Sequence, residues 1–425
     1  PPPPPFSSRR RHTRCQIQSR GLGDVYKRQV LFTVCTHKGT PSRLAAFYTF
    51  PDGGGKHPAF VWAHGGGQRA DRARGRYFAK QGYATIDINW NGREIVEGIE
   101  KNTNWGKLDP TQGPQFYPKA LRTQWKRSFQ PDEHSIDPVA SPRNSNWFLL
   151  ALAGRRAITF LEQQPEVDPE RIGFTGYSMG GNITSFCGID RRLKAVVPMV
   201  GGTGFLARDI PGFLKSSHAA HHRDPELYSA TMDSSAYWPL VRCPVLFLNA
   251  TNDFHGIFER SYRCANLLPH DNWCASYNLH FNHSLRGEQY AALVLWFDKH
   301  LKGTGPGLPK PAKMEVQHHL GQKTAKLTIT PDPARQGELV AVEILYSHDP
   351  NPRSRFWITA QNPQPAETLE VSLPVRPDLP LHAFANLSYR LPKPMTAFED
   401  GSHPTDTITI TSELATIHPA EVKAD

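Results

Sequence analysis

The chain contains 425 residues, of which 38% are hydrophobic and 21% are charged, and its formal net charge is +10. This length exceeds that of an ordinary single domain, so we expect two domains, and the hydrophobic content is sufficient for a packed core. No apolar run approaches the roughly 20 residues that a membrane-spanning helix needs, so we expect no membrane partner.

Residues 1–29 carry most of the net positive charge. The segment starts with five prolines and contains seven Lys or Arg residues and one acidic residue, Asp24, so its net charge is +6. The rest of the chain therefore has a net charge of +4. It resembles translated sequencing-adapter read-through, so we predict an artefactual or disordered segment outside the fold. The alternative is a basic arm, but a remaining charge of +4 predicts no nucleic-acid partner. A true N-terminus would then be missing, which leaves the compartment unknown and favours a secreted or periplasmic protein.

Beyond that segment, predicted strands and helices alternate. Residues 44–50 alternate and residues 59–63 are fully apolar, so both are predicted strands, with a predicted hairpin turn at residues 51–55. A predicted helix at residues 73–81 and a strand at residues 83–88 follow. Strand–helix–strand units build parallel sheets, and the pattern therefore favours an α/β fold.

Two long stretches without periodicity interrupt this rhythm, at about residues 89–146 and 203–238, and loops of this length are usually functional. The first is rich in aromatic residues and forms either a substrate-facing wall or a structural flap. The second contains a cluster of three histidines and an aspartate. No further Cys or carboxylate pattern supports a metal site there, so we interpret the four as loop residues. They are His218, His221, His222 and Asp224.

The sequence Gly176-Tyr-Ser-Met-Gly180 lies between an apolar run and a predicted helix. A strand, a tight turn and a helix with a serine at the apex form a nucleophile elbow. Glycines two residues before and after the serine fit this geometry, because side chains there would collide where strand and helix converge. The pattern predicts Ser178 as a catalytic nucleophile.

A serine hydroxyl needs a base, which is usually a histidine held by a carboxylate. In a fold of this kind the acid and then the histidine follow the serine, each after a strand. Asp253 follows the predicted strand at residues 244–249, and His283 follows the one at residues 274–279. The order therefore predicts Ser178, Asp253 and His283 as a triad. The alternatives are Asp271 as the acid and His280 or His255 as the base.

An acyl-transfer site also needs N–H groups that stabilise the oxyanion of the tetrahedral intermediate. One donor should be the backbone of Met179, the residue after the predicted nucleophile. Another should come from His64-Gly-Gly-Gly67, which directly follows a predicted strand. Gly66 is the first choice and Gly67 the second.

From residue 304 the character of the sequence changes. Residues 304–312 are rich in Gly and Pro and form a predicted linker, and residues 313–425 contain short alternating runs separated by turn residues. Such a series of strands predicts a β-sandwich domain. The runs are residues 314–318, 325–329, 339–346, 356–360, 368–373, 383–389 and 407–411. Trp357 in this domain is either a platform for a sugar or an inward-facing core residue.

Five cysteines lie outside residues 1–29, an odd number without a C-x-x-C motif. This pattern argues against a zinc site or a disulfide framework, although a pair of Cys264 and Cys274 stays open.

Several longer motifs surround the predicted site. They are His64-Gly-Gly-Gly-Gln68, Ile88-Asn-Trp90, Thr103-Asn-Trp-Gly with Asp109-Pro110, Pro142-Arg-Asn with Asn146-Trp147, Gly176-Tyr-Ser-Met-Gly-Gly181 and Val197-Pro-Met-Val-Gly-Gly202. With these motifs, residues 30–303 resemble α/β-hydrolases of the acetyl xylan esterase and dienelactone-hydrolase-like groups. The resemblance implies a catalytic domain at residues 30–303, with a mostly parallel sheet flanked by helices.

The same resemblance implies a serine carboxylic-ester hydrolase, similar to bacterial carbohydrate esterases that act on decorated plant or algal polysaccharides through an acyl-enzyme. It implies no metal and no organic cofactor. The expected partner is a polysaccharide or a small ester, and the oligomeric state stays open. The residues that we expect to contact substrate are His64, Trp90, Trp105 and Tyr177.

Other functions stay open at this point. Within the hydrolases, the alternatives are a pectin methylesterase-like, a feruloyl or a polyester-cleaving enzyme, and a peptidase is less favoured because no propeller domain precedes the catalytic domain. In a different class, the chain would be a non-catalytic carbohydrate-binding protein that works through its C-terminal sandwich. The serine–acid–histidine order argues against this last reading.

Overall fold

The computed structural model describes residues 18–21, 25–93, 95, 102–108, 129–131, 134–204, 225–334, 337–397 and 402–421. An N-terminal domain built on one mixed sheet is followed by a C-terminal domain of antiparallel strands. No helix in these ranges is long and apolar enough to cross a membrane.

The N-terminal domain is organised around a nine-stranded sheet with the order β1-β2-β3-β5-β4-β6-β7-β8-β9. The strands are β1 (Gln18–Gly21), β2 (Val25–His37), β3 (Thr40–Pro51), β4 (His57–Ala63), β5 (Ala84–Ile88), β6 (Val167–Tyr177), β7 (Leu193–Met199), β8 (Val245–Ala250) and β9 (Trp273–Asn278). The six strands from β4 to β9 pair in parallel, and β1, β2 and β3 extend the sheet in antiparallel pairs.

The N-terminal domain also contains helices, most of which pack against this sheet. They are α1 (Arg72–Lys80), α2 (Asn146–Glu162), α3 (Met179–Cys187), α4 (Pro225–Thr231), α5 (Phe258–Asn266) and α6 (Gly287–Phe297). Side-chain caps define two of their starts, because Asp71 accepts the Ala73 N–H and Ser145 accepts the Trp147 N–H. Every residue of β5 and β8 is buried, as expected for parallel strands that are covered on both faces.

The sheet begins inside residues 1–29, the segment predicted to lie outside the fold. β1 lies wholly in that segment, and the start of β2 pairs with the end of β3. The Arg28 guanidinium lies 5.2 Å from the Phe50 ring centroid and 3.7 Å from a Glu166 carboxylate oxygen. The structural start of the domain therefore precedes the predicted boundary at residue 30.

The prediction of a hairpin at residues 51–55 is wrong. β5 lies between β3 and β4 in the sheet, so the two strands that flank this turn are not paired. Turn-forming residues show where a chain reverses, but the pairing partner is set by the rest of the sheet.

The C-terminal domain contains a three-stranded sheet, β10-β11-β14, and a second sheet with the order β13-β12-β15-β16, in which β17 also pairs with β15. The strands are β10 (Lys313–Gln317), β11 (Thr324–Thr330), β12 (Leu339–Ser347), β13 (Ile358–Gln361), β14 (Leu369–Pro374), β15 (Leu381–Thr396), β16 (Pro404–Thr411) and β17 (Ala415–Ile417). Apolar residues alternate along β14, whose buried positions join those of β12, β15 and β16 in one hydrophobic cluster.

The two domains share a continuous core. Phe258 of α5 contacts Tyr277 in its own domain, and Trp357 and Phe384 in the C-terminal domain, with ring centroids 4.9 to 5.3 Å apart. Trp357 is 1% exposed and is therefore a core residue rather than a sugar platform. The backbone N–H of Tyr277 also donates to Thr411 Oγ1 at 2.9 Å, so β9 is bonded directly to the second domain.

The cysteines among the described residues play no covalent part in this packing. Both Cys264 and Cys274 are buried free thiols, and burial raises the pKa of each. The pairing that the sequence left open is absent.

Replacing Phe258 with alanine should destabilise the chain by about 3–5 kcal/mol, because the cavity would open where the two domains meet. The measurement is urea denaturation followed by tryptophan fluorescence. Leu320→Ala is the control, because Leu320 is 64% exposed and its loss should cost no more than about 0.5 kcal/mol. Equal effects of the two substitutions would contradict the shared core.

Buried histidines should make the chain sensitive to acid. Burial, helped by the charge of Arg355, lowers the pKa of His382 to about 3. The unfolded chain binds a proton below about pH 6.5 and the folded chain does not, so folding stability falls as the pH drops from 6.5 towards 3.

His382→Gln should remove this contribution. Between pH 7 and pH 5 the loss of stability should shrink by about 2 kcal/mol relative to the wild type, as measured by urea denaturation at both pH values. The exposed residue His319 supplies the control substitution, His319→Gln. An unchanged pH dependence in His382→Gln would refute the assignment.

Candidate active site

The carboxyl ends of four parallel strands meet at one edge of the sheet. The loop that begins at His64 follows β4, Ser178 follows β6, Asp253 lies in the loop after β8, and His283 lies in the loop after β9. In open α/β sheets this edge is where ligands bind. The fold therefore brings together residues that are more than 200 positions apart in the chain.

Ser178 occupies a strained backbone position between β6 and α3, with φ 59° and ψ −114°. A Cβ at Gly176 would lie 2.3 Å from the Gly180 carbonyl oxygen, and a Cβ at Gly180 would lie 1.9 Å from the Ala63 carbonyl oxygen. Only glycine fits at either position. The sharp turn that the motif predicts is therefore present, and it projects the serine from the strand end.

His283 lies between Ser178 and Asp253. Its Nε2 is 2.7 Å from Ser178 Oγ, and its Nδ1 is 2.9 and 3.0 Å from the two carboxylate oxygens of Asp253. The Asp253 carboxylate accepts a hydrogen bond from the protonated Nδ1. The unprotonated Nε2 is therefore free to accept the serine proton. This is the geometry that general-base activation of a serine requires.

Asp253 is 2% exposed, and its Oδ1 accepts the backbone N–H groups of His255 at 2.6 Å and Gly256 at 2.9 Å. A buried carboxylate needs such donors, and they fix its orientation towards His283.

The alternative acid and bases have other partners. Asp271 is exposed and lies 2.7 Å from the Lys310 ammonium nitrogen. His280 Nε2 accepts the backbone N–H of Trp357, and His255 Nδ1 lies 3.1 Å from the Val200 carbonyl oxygen. Neither histidine contacts Ser178 through a hydrogen bond in the part of the chain that the structure describes.

Two groups of backbone N–H donors lie near the serine. Met179 is the first residue of α3, so its N–H has no intrahelical acceptor and lies at the positive end of the helix dipole. The loop after β4 packs on the serine, because a Cβ at Gly65 would lie 3.1 Å from Ser178 Cβ. Among the described residues, no acceptor takes the N–H of Gly66 or Gly67, whereas that of Gly65 donates to Gln68 Oε1 at 2.9 Å.

The family model described as Dienelactone hydrolase family matches residues 75–272, a span that contains Ser178 and Asp253 and ends before His283. The mostly parallel sheet, flanked by helices and with the serine elbow at its strand edge, gives the chain an α/β-hydrolase fold, as the resemblance implied.

Solved structures with a similar fold include an acetyl xylan esterase from Paenibacillus sp. R4, at 17% identity and a TM-score of 0.49, covering 68% of this chain and 89% of that one. Acetyl Xylan Esterase 1 from Thermoanaerobacterium sp. JW/SL YS485 is 16% identical, with a TM-score of 0.43 and coverage of 66% and 86%. An acylaminoacyl peptidase from Pyrococcus horikoshii is 19% identical, with a TM-score of 0.47 and coverage of 68% and 44%. No curated protein sequence matches the chain at a significant level.

Three of the four residues expected to contact substrate are buried in the hydrolase domain. His64, Trp90 and Trp105 are 0%, 1% and 0% exposed, so they do not present their rings to a substrate. They form a ladder instead, in which Trp105 Nε1 donates to the Trp90 carbonyl and Trp90 Nε1 donates to the His64 carbonyl, both at 2.8 Å. This ladder holds the loop that carries Gly66.

His64 also stacks on Trp90, with ring centroids 4.9 Å apart. Burial lowers the pKa of His64 to about 3, so the ring is neutral at working pH. Its Nδ1 lies 2.7 Å from the Gly65 carbonyl oxygen, which fixes the first peptide of the loop.

Tyr177, the fourth expected substrate contact, is half-buried. Its hydroxyl donates to the His283 carbonyl at 3.0 Å, and its ring meets the imidazole edge-on at 5.7 Å. Burial raises the pKa of Tyr177, so the hydroxyl remains a donor. The observed contact positions the histidine.

Sequence reasoning missed two residues of the site. Asn182 is 1% exposed, and its Oδ1 accepts the Gly202 N–H at 2.7 Å while its Nδ2 lies 3.3 Å from His255 Nε2. Phe254 is 42% exposed, and its ring centroid lies 4.6 Å from that of His283. A large apolar residue directly after the predicted acid was the available signal for Phe254.

The histidine cluster of the second irregular stretch lies outside the described residues, and so does much of the first stretch, including Trp125. The aromatic residues Trp90, Trp105 and Phe129 of the first stretch are described, and all three are buried.

Trp105→Phe should separate a structural role from substrate binding. Removing the indole N–H leaves the buried Trp90 carbonyl without its donor, so stability should fall by about 1–3 kcal/mol in urea denaturation. KM for a small ester should stay within about twofold of the wild type. A raised KM at unchanged stability would restore Trp105 as a substrate contact.

Proposed function

We propose that the chain is a serine carboxylic-ester hydrolase that works through Ser178, His283 and Asp253. The observation that carries the proposal is the continuous contact from Ser178 Oγ to His283 Nε2, at 2.7 Å, and from Nδ1 to the buried Asp253 carboxylate. A surface serine or a structural histidine does not require this arrangement, whereas acyl transfer does.

In the proposed mechanism, Ser178 Oγ attacks the ester carbonyl carbon while His283 Nε2 takes the hydroxyl proton. The N–H groups of Met179 and of Gly66 or Gly67 stabilise the oxyanion of the tetrahedral intermediate. His283 then returns the proton to the leaving alkoxide, which leaves an acyl-enzyme on Ser178. Water, activated by His283, attacks the acyl-enzyme and releases the carboxylic acid.

Asp253 keeps the imidazole in the tautomer that accepts at Nε2 and stabilises the imidazolium as it forms. None of these steps uses a metal or an organic cofactor, so activity should survive EDTA. Phe254 supplies an apolar surface beside His283, where the leaving group or the acyl group of an ester would lie.

We propose an acetylated plant or algal polysaccharide as the substrate class. The support is the resemblance of the motifs in residues 30–303 to carbohydrate esterases, together with the exposed ring of Phe254 beside the triad. A substrate of this kind presents an acetyl group on a large polar body, so the small acyl group enters the site and the sugar remains at its rim.

Ser178→Ala should lower kcat for p-nitrophenyl acetate by about 10⁴-fold or more, because the nucleophile is lost and the fold is kept. Ser372→Ala is the matched control, since Ser372 is an exposed serine in β14. The same two variants are tested on acetylated xylan, methylated pectin and methyl ferulate.

Serine-dependent acetate release from xylan would support the proposed substrate. Release of methanol from pectin or cleavage of methyl ferulate would replace it with one of the alternative esterases. Ser178-independent turnover would refute Ser178 as the nucleophile. No turnover by folded wild-type protein would refute the serine esterase and favour a binding protein.

A further inference from the structure

One loop of the C-terminal domain reaches the active site. Residues 349–357, here called the brace loop, connect β12 to β13. The loop is held by its own hydrogen bonds, because Asn351 N–H donates to Asp349 Oδ1 at 2.8 Å and Arg353 N–H donates to Asn351 Oδ1 at 3.1 Å. Arg355 Nε closes the loop with a bond to the Asp349 carbonyl at 2.6 Å. Successive Asx turns of this kind give a short loop a defined shape.

The brace loop bonds both neighbours of Asp253. Asn252 Nδ2 donates to the Arg355 carbonyl at 2.6 Å, and Arg353 Nη2 donates to the Phe254 carbonyl at 3.0 Å. The peptides on either side of the acid are therefore tied to the second domain.

The same loop bonds the segment that leads to His283. The Trp357 N–H donates to His280 Nε2 at 2.9 Å, and the Phe356 ring stacks on the His280 ring with centroids 4.5 Å apart. His280 has φ 55°, a left-handed conformation that is unfavourable for a residue with a side chain. The strained residue three positions before the base is thus held by the C-terminal domain.

A third contact holds the helix that follows the loop between β8 and α5, here called the acid loop because it carries Asp253. Arg355 is 2% exposed, and its guanidinium forms an ion pair with Glu259 in the first turn of α5, which follows the acid loop. Breaking a buried pair leaves an uncompensated charge, so this contact holds the loop firmly to the helix.

The acid loop also forms hydrogen bonds with the loop between β9 and α6, which carries His283. Asn252 N–H donates to the Phe281 carbonyl at 3.1 Å, and Phe254 N–H donates to Asn282 Oδ1 at 3.2 Å. The brace loop therefore acts on one connected unit that carries both Asp253 and His283.

We propose that the brace loop is a positioning element of the active site, so that the C-terminal domain sets the alignment of Asp253 and His283 with Ser178. The inference rests on the proposed serine esterase function. A misplacement of about 1 Å between reacting groups can lower a rate by about 100-fold, so small changes in this loop should reach the chemistry. Arg353 and Phe356 are its positioning residues, and neither side chain contacts Ser178, Asp253 or His283 through a described hydrogen bond.

The rival explanation is that the brace loop only adds adhesion between the domains. Adhesion is already supplied by the buried rings around Phe258 and by the bonds of β9 to β16. Loss of adhesion would lower stability and the folded fraction, whereas loss of positioning lowers kcat in protein that is fully folded.

The test uses the full chain with Arg353→Ala, Phe356→Ala, the conservative Arg353→Lys, and Arg390→Ala as a control. Arg390 lies in the same domain, is 52% exposed and pairs with Glu338, away from the site. Two rates are measured, namely kcat with KM for p-nitrophenyl acetate, and phosphonylation of the active serine by a small p-nitrophenyl phosphonate, located by mass spectrometry.

We expect Arg353→Ala to lower kcat and the phosphonylation rate by about 10- to 100-fold, with KM within about threefold of the wild type. Arg353→Lys should recover part of both rates because a lysine can donate to the Phe254 carbonyl. Phe356→Ala removes an exposed ring that is 68% accessible, so it should fold normally and still lower both rates several-fold. Arg390→Ala should match the wild type.

Wild-type rates in folded Arg353→Ala and Phe356→Ala would overturn the proposal. Rate losses that only follow the unfolded fraction, measured by circular dichroism at the assay temperature, would also overturn it. Failure of the wild type to be phosphonylated at Ser178 would instead refute the proposed function and the brace proposal with it.

Discussion

A side chain at position 180 would place its Cβ 1.9 Å from the Ala63 carbonyl oxygen, and the whole site depends on that close approach. Because α3 starts against the end of β4, the N–H of Met179 and the loop after Ala63 face the same small volume. The strained φ of Ser178 follows from the same contact, since the chain has one residue in which to change from strand to helix. Close packing of strand and helix therefore sets the shape of the elbow, and the position of the serine follows from that shape.

The rest of the site is assembled by polar groups that orient one another. Asp253 is oriented by the N–H groups of His255 and Gly256, and the Tyr177 hydroxyl donates to the carbonyl of His283. Below the loop that carries Gly66, the ladder of Trp105, Trp90 and His64 supplies buried indole N–H donors to two carbonyl groups and so supports the loop from the protein interior. Each of these contacts is buried or half-buried, where a hydrogen bond is stronger and a missing one costs more.

The order of Ser178, Asp253 and His283 could be predicted because parallel topology puts successive strand ends at one edge, and no distance information is needed for that. The burial of Trp90 and Trp105 could not be predicted, because residue type does not show whether an aromatic ring in a long loop points inward. The pairing of β3 with β5 escaped prediction because turn residues mark a reversal without naming a partner. The bond between His280 and Trp357 was also out of reach, since it joins positions 77 residues apart in different domains.

Two of the brace-loop contacts use its main chain, namely the Arg355 carbonyl that accepts from Asn252 and the Trp357 N–H that donates to His280. Main-chain groups are the same for almost every residue type, so these two bonds do not depend on the side chains of Arg355 and Trp357, whose contacts with Glu259 and Phe258 are separate. The amino-acid sequence of this loop can therefore differ between homologous chains while the path of its backbone stays the same. A comparison of loop lengths and of residues 252 and 280 will therefore help to identify related proteins with the same architecture.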